Sequence, residues 1–464
     1  MNKDKIYVLE SMPVTRAIIT LSIPSILSML VTVLYNLADT FYIGKLGDPD
    51  LVAALSISMP LFTLQMATAG IFGHGGGSYV SRLLGRKDYV TAHETATTAL
   101  FSMGIASILF GLLGVFGIPL YLKIVGASPN IYPHAYKYMF WILLGTPFTM
   151  AKFAQVQLLR AEGAAKAAMV ILMIGTVTNI ILDPLFIFVF KMGVTGAAVA
   201  TVIGQAFASI YAAWYYTSGR TLITPKLKYL RPRLETYKQI FYIGIPSSLS
   251  QITLAIGNTV AYNMASRFGD AHVAAIGVAG RVFSIATFVF IGTSVGVQAL
   301  IGFNYGARNY TRMKRVIRTA MFLSLSYGAG LTLIFALIPE ALISIFIQDH
   351  AVKIYGALTL QAYVFAIPTA SVGMILMSSL QAMGKALQAF FVAISRQGII
   401  YIPLLYILTH FFGFQGLVLA MPASDFLTTS MSFFFVLGVV RKLKHTETVD
   451  FDPAKLETSD LLGT

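Results

Sequence analysis

The sequence predicts an all-α integral membrane protein: twelve transmembrane helices in two six-helix bundles, related by a pseudo-twofold axis along the membrane normal. Three observations carry this reading. Only 11% of the residues are charged and 56% are hydrophobic, whereas soluble domains carry about 25% charged residues. Apolar runs of membrane-spanning length recur from end to end, and only helices and closed barrels satisfy their backbone hydrogen bonds in lipid. The third is that the two halves of the chain are copies of each other.

The runs lack the ten-residue alternation of a barrel. Between charged or Gly/Pro punctuation, the first six fall at about 17–43, 52–80, 92–117, 135–159, 166–190 and 194–217. The second six fall at about 239–266, 273–302, 316–338, 354–382, 386–410 and 414–440. Residues 1–217 then form one lobe, 218–238 a basic linker, 239–440 a second lobe and 441–464 a tail. The opening "MNKDKIYVLESMPVTRAII" is too polar before its first apolar run to read as a cleaved leader. No cysteine is present, which excludes disulfides, thiolate chemistry and cysteine-ligated metals.

The net charge of +14 is explained by where the charges fall. One side of the predicted bundle holds Arg16, Arg82, Arg86, Lys87, Arg160, Lys166, the linker basics from Arg220 to Lys238, Arg308 to Arg318, Lys385 and Arg441. The other holds only Lys45, Lys123, Lys137, Lys191, Arg267 and Lys353. Lysine and arginine accumulate on the cytoplasmic side, so both termini are expected there, in a multi-pass protein of the inner (cytoplasmic) membrane. The basic excess is topogenic and suited to contact with membrane lipid; a nucleic-acid partner is not expected.

The repeat aligns without a gap over its first stretch: "SIPSILSMLVTVLYNLADTFYIGKLGD" (22–48) over "GIPSSLSQITLAIGNTVAYNMASRFGD" (244–270). After a one-residue slip "LLGRKDY" (83–89) lies over "NYGARNY" (304–310), and "RAEGAAKAA" (160–168) over "QAMGKALQA" (381–389). Near the ends of the halves "GVTGAAVATVIGQ" (193–205) lies over "GFQGLVLAMPASD" (413–425). An even number of spans per half gives a parallel repeat, with a shared cleft between two lobes that can rock. That architecture points to a transporter.

With these motifs, "YNLADTFYIGKLGD", "ATAGIFGHGGGSYVSRLLGRKDY", "RAEG" and "TVTNIILDPLFIF" among them, the chain resembles the multidrug and toxic compound extrusion (MATE) family over nearly all of residues 10–440. The resemblance implies a secondary antiporter that works as a monomer without a cofactor. It would export small organic compounds, often cationic and amphiphilic, in exchange for H⁺ or Na⁺ by alternating access of its lobes.

Three acids fall well within spans: Asp39, Asp183 and Asp425. Intramembrane carboxylates are costly and are functional candidates by default. Counting about 1.5 Å per residue from Lys45 and Lys191 puts Asp39 and Asp183 at one level, roughly 9–12 Å below the outer end. Two carboxylates at one level can share a proton or hold a cation between them. Asn179 stands one helical turn before Asp183, on the same face. Pro184 lacks an N–H, so the carbonyl of Ile180 loses its helical partner, which marks a hinge or an opened oxygen ligand. Carboxylate, amide and carbonyl oxygens suit Na⁺ at Asp39, Asn179 and Asp183, and equally suit a shared proton. A buried ion pair of Asp183 with Lys152 is the structural alternative, but Lys152 lies eight residues from inner-side Arg160, at the wrong depth.

In MATE relatives with an amino-lobe site, acids of spans 1 and 5 and the span 5 asparagine bind the coupling ion. The matching positions here are Asp39, Asp183 and Asn179, and the resemblance adds Thr201 on span 6 and Tyr138 on span 4. The branch with acids on spans 7 and 10 is not matched, because those spans contain none. In the second half Arg396 and Asp425 both fall near the midplane, as a structural or gating ion pair or as separate substrate contacts. Arg281 on span 8 is a further cleft candidate. "GHGGGS" (73–78) lies inside span 2 without a P-loop ending and reads as close helix packing, with His74 in a hydrogen-bonded role. A flippase for lipid-linked or glycoconjugate substrates is the alternative within transport. An intramembrane aspartyl protease would need sequence contexts that "NLADT" and "IILDPL" do not provide, so no enzyme is expected.

Overall fold

The computed structural model describes residues 3–46, 48–347 and 349–449. Every regular element among them is a helix. A short α1 (Lys3–Glu10) precedes α2 (Val14–Gly44), α3 (Pro49–Gly85) and α4 (Tyr89–Val125). Then come α5 (Ile131–Leu144), α6 (Thr146–Ala161), α7 (Ala165–Pro184) and α8 (Val194–Thr217). The second half holds α9 (Leu234–Ala265), α10 (Asp270–Gly306), α11 (Tyr310–Leu337) and a short α12 (Pro339–Ser344). It ends with α13 (His350–Val364), α14 (Ala366–Ala382), α15 (Ala386–Ile394) and α16 (Tyr401–Val449).

Among the described residues nine stretches are singly long and apolar enough to cross a membrane. The bent pair α13–α14, kinked by 48°, makes another. The stretch Ala386–Leu443 is two spans, because α16 reverses at Gly413 (φ 58°, ψ −138°). The last is α5–α6, two short helices meeting at Gly145. Twelve spans result, and most of the helices overrun the approximate limits expected. Span 7 starts at Leu234 and not at 239, span 2 runs from Pro49 to Gly85, and span 10 breaks at Phe365. Polar residues that a hydropathy boundary discards still continue a helix when caps and interfaces hold them.

The repeat is written in the backbone. Lys87 (φ 61°) and Arg308 (φ 55°) are both left-handed, as are Gly163 (φ 81°) and Gly384 (φ 74°). Gly193 (φ 55°, ψ −133°) matches Gly413, and both stand at the same aligned position. Asp88 caps α4 by accepting from Thr91 N–H, and the aligned Asn309 caps α11 by accepting from Arg312 N–H. Asp and Asn at an N-cap satisfy one orphan donor each.

The halves meet most closely toward the end that carries the basic loops. A Cβ on Gly85 would lie 1.9 Å from the Phe303 carbonyl oxygen, and one on the aligned Gly306 would lie 2.0 Å from that of Arg82. Gly75 and Gly244 approach Ile240 and Ile71 as tightly, and Gly292 and Gly296 sit against Ile26 and Ser22. Toward the opposite end of α10, Gly277 and Gly280 have nothing within 4 Å of that position. The basic end is sealed backbone to backbone.

Helix α1 straddles this seal. Lys5 Nζ donates to Glu162 Oε1 (2.7 Å) and to the Arg220 carbonyl (2.8 Å) in the first half. Asn304 Nδ2 donates to Leu9 O (3.2 Å), and Arg312 Nη2 to Met12 O (2.6 Å), from the second half. The linker also folds back: Arg231 and Arg233 face Glu94 (3.4 and 3.7 Å), and His93 Nδ1 accepts from Thr224 N–H.

A candidate ion-coupling site in the first half

Small residues build the site. Helices α7 and α8 cross at Gly175 and Gly204, where a Cβ on Gly204 would come within 2.5 Å of the Gly175 carbonyl oxygen. Such close approach is what small residues permit between membrane helices. It brings Asn179 of α7 beside Thr201 of α8: Asn179 Nδ2 donates to Thr201 Oγ1 (3.2 Å) and to Asp183 Oδ1 (3.1 Å). Asp183, Asn179 and Thr201 are 0%, 1% and 3% exposed. Tyr35 of α2 reaches the same cluster, its hydroxyl 3.4 Å from Thr201 Oγ1. The Asn179 Oδ1 atom is buried without a hydrogen-bond partner among the described residues.

Beyond Asp183 the chain does not stop at Pro184. It changes winding into a π-turn over Leu185–Val189, where Phe190 N–H donates to Leu185 O (2.9 Å). Proline removes a helical hydrogen bond, and single π-turns recur at functional sites. Tyr138 of α5 packs against the apolar cluster of Ile43, Leu51, Ile187, Val194 and Ala197, which includes Ile187 of that turn. Asp39 stands one turn beyond Tyr35 on α2, which packs against α7; its side chain lies outside the described residues. Gly204→Val should wedge α7 from α8, cost about 1–3 kcal/mol as overpacking does, and lower both the thermal transition and ion affinity.

The second half carries a different polar centre. Arg396 Nε donates to Asp425 Oδ1 (2.6 Å) and Nη2 to Oδ2 (3.3 Å), a bidentate pair. Arg396 sits in another π-turn, Ser395–Ile399, and Ser424 Oγ donates to its carbonyl (2.8 Å). Helix α9 presses on this turn, with Gly257 against the Gln397 carbonyl. Removing one member of a buried pair costs about 3–5 kcal/mol, while removing both is often near neutral. Asp425→Asn should therefore destabilise the detergent-purified protein far more than Arg396→Met with Asp425→Leu, as read by thermal unfolding. Equal losses would show that the pair contributes no charge coupling.

Against known proteins, the MatE family profile matches residues 24–185 and again 246–407, one copy in each half. The chain belongs to the MatE family. Membership places this MatE chain among membrane transporters and not enzymes. It is 29% identical over 418 residues to the multidrug export protein MepA of Staphylococcus saprophyticus, covering 90% of this chain and 92% of that one. A solved structure of a MATE protein in complex with MaL6 superposes with a TM-score of 0.91 at 25% identity, over 95% and 99% of the two chains. An outward-facing multidrug resistance MATE transporter gives 0.92 at 24%, over 96% and 100%.

In this MatE chain the structure gathers Asp183, Asn179 and Thr201, and it joins Arg396 to Asp425. It does not gather Arg281, which is exposed on α10 without an ion-pair partner among the described residues. Lys152 likewise forms no ion pair among them, and His74 accepts or donates with Gln157 (3.0 Å) edge-on to Phe153. Sequence reading missed Tyr35. Its signal was the spacing in "YNLAD", which puts it one turn from Asp39 on one helix face.

Proposed function

We propose that this MatE chain is a secondary antiporter that exports organic, often cationic compounds in exchange for H⁺ or Na⁺, with the basic end cytoplasmic. The observation that carries the reading is the buried Asp183–Asn179–Thr201 cluster beside a π-turn, inside a two-lobe transporter fold. In this reading Asp39 completes the cluster from α2. Asp183, the Asn179 Oδ1 that has no partner among the described residues, Thr201 Oγ1 and Tyr35 supply an oxygen set for a hard cation, and the same set can hold a proton. The name borne by the Staphylococcus relative supports multidrug export.

In this scheme alternating access works through the seal at the basic end: opening it requires Gly85 and Gly306 to leave the opposing carbonyls and α1 to release one half. Pro184 and its π-turn serve as the local hinge that couples site occupancy to helix bending. The Arg396–Asp425 pair fixes α15 against α16 in this scheme, and Arg281 faces the substrate cleft. The flippase reading is not favoured. Proteoliposomes loaded with a fluorescent organic cation distinguish the coupling ion. Under a Na⁺ gradient alone and a pH gradient alone, one should drive movement at least about tenfold faster than the other. Movement that ignores both gradients overturns the antiport.

A further inference from the structure

Arg160 ends α6 at the sealed interface and is only 7% exposed. Its Nη1 donates to Gln157 Oε1 (3.2 Å), while Nε and Nη2 have no hydrogen-bond partner among the described residues. Among the described residues no acid forms an ion pair with it. Glu162, two residues on, is committed to Lys5 and to the Leu222 and Ile223 N–H groups. A guanidinium cannot shed its proton, and a buried charge without a counterion is among the costliest arrangements in a protein. Water could satisfy the two N–H groups but not the charge.

Arg160 borders a small cavity with room for an occupant about the size of a single water. Its walls include Gly77 and Ser81 of α3 from the first half, and Gln298 of α10 from the second. The hydroxyls are already spent, since Ser78 donates to Gln381 O and Ser81 to Ser78 O. Gln157 Nε2 lies 3.0 Å from His74 Nδ1, which engages one of its two N–H groups. Gln298 has no side-chain hydrogen bond among the described residues and offers its amide from the opposite lobe.

We propose that Arg160 and Gln298 bind a chloride-sized inorganic anion between the lobes, at a site complete only while the basic end is closed. The anion neutralises the guanidinium through Nε and Nη2 and accepts one amide N–H across the interface. A ligand held by both lobes in one conformation and by one lobe in the other shifts the equilibrium toward the first. Chloride is then an effector of the closed basic end, distinct from the ion that drives export and from the exported compound.

The chain has no cysteine, so Lys166→Cys with Leu387→Cys puts one spin label on each lobe at the basic end. Distance distributions of the full-length protein are recorded with rising sodium chloride against sodium gluconate at constant sodium. The closed population should rise saturably with chloride. Arg160→Gln should move the half-saturating concentration up by at least about tenfold, in line with the loss of charged hydrogen bonds. Gln298→Leu, which keeps the first lobe intact, should move it several-fold and carries the test if Arg160→Gln does not fold. Bromide should give an anomalous peak beside Arg160. Identical populations in chloride and gluconate, or an unchanged response in the variants, overturn the proposal.

Discussion

Asp183→Asn should reduce ion-driven export in proteoliposomes to the background leak, a loss of about 100-fold or more, while leaving the protein folded. The side chain keeps its size, and Asn179 Nδ2, 3.1 Å away, still finds an oxygen to which it can donate. What disappears is the only titratable, negatively charged member of the cluster's described trio. A hydrogen bond to a charged group contributes about 1.5–3 kcal/mol, and a cation that loses a carboxylate ligand loses that and its counter-charge. The neutral variant can neither release a proton nor balance Na⁺, so the gradient has nothing to act on. Thr201→Val, which removes only a neutral ligand, should weaken coupling by about tenfold at most. Retained gradient-driven export in Asp183→Asn would remove the ion-coupling role from this cluster.

What the sequence could reveal here depended on what periodicity and depth can encode. Spans, repeat and basic asymmetry are one-dimensional signals, and the matched left-handed pairs Lys87/Arg308 and Gly163/Gly384 lie where the alignment puts them. Asn179 and Asp183 were legible because one helical turn separates them. The meeting of Asn179 with Thr201 was not legible from spacing, since it depends on how closely Gly175 and Gly204 let two helices approach. The same limit hid Arg160. A basic residue at a span end reads as topogenic, and only the packed interface shows that two of its N–H groups are buried without a partner. Nor does spacing show that Lys5 reaches a glutamate in the α6–α7 turn and holds α1 to the first half.

Gly85→Val should trap the protein with its basic end open. The added Cβ would sit 1.9 Å from the Phe303 carbonyl oxygen and 2.9 Å from Ala307 N, both backbone atoms that no rotamer change can move aside. Overpacking costs about 1–3 kcal/mol where side chains adjust, and a backbone clash belongs at the upper end. Each 1.4 kcal/mol is tenfold, so the closed state should fall by about 100-fold relative to the open one. The clash exists only in the closed arrangement, so the penalty acts on the equilibrium between states and not on the lobes themselves. Gly306→Val, its partner across the pseudo-twofold axis, should do the same against the Arg82 carbonyl. Spin labels at Lys166→Cys and Leu387→Cys should lose the short-distance population in either variant, while Gly277→Val, with open space around it, should keep that population. Export should fail in the first two variants, although ion binding at Asp183 persists, because a transporter that cannot close one end cannot return. A closed distribution that survives Gly85→Val in a folded protein would show that the glycine contacts are packing without a gating role.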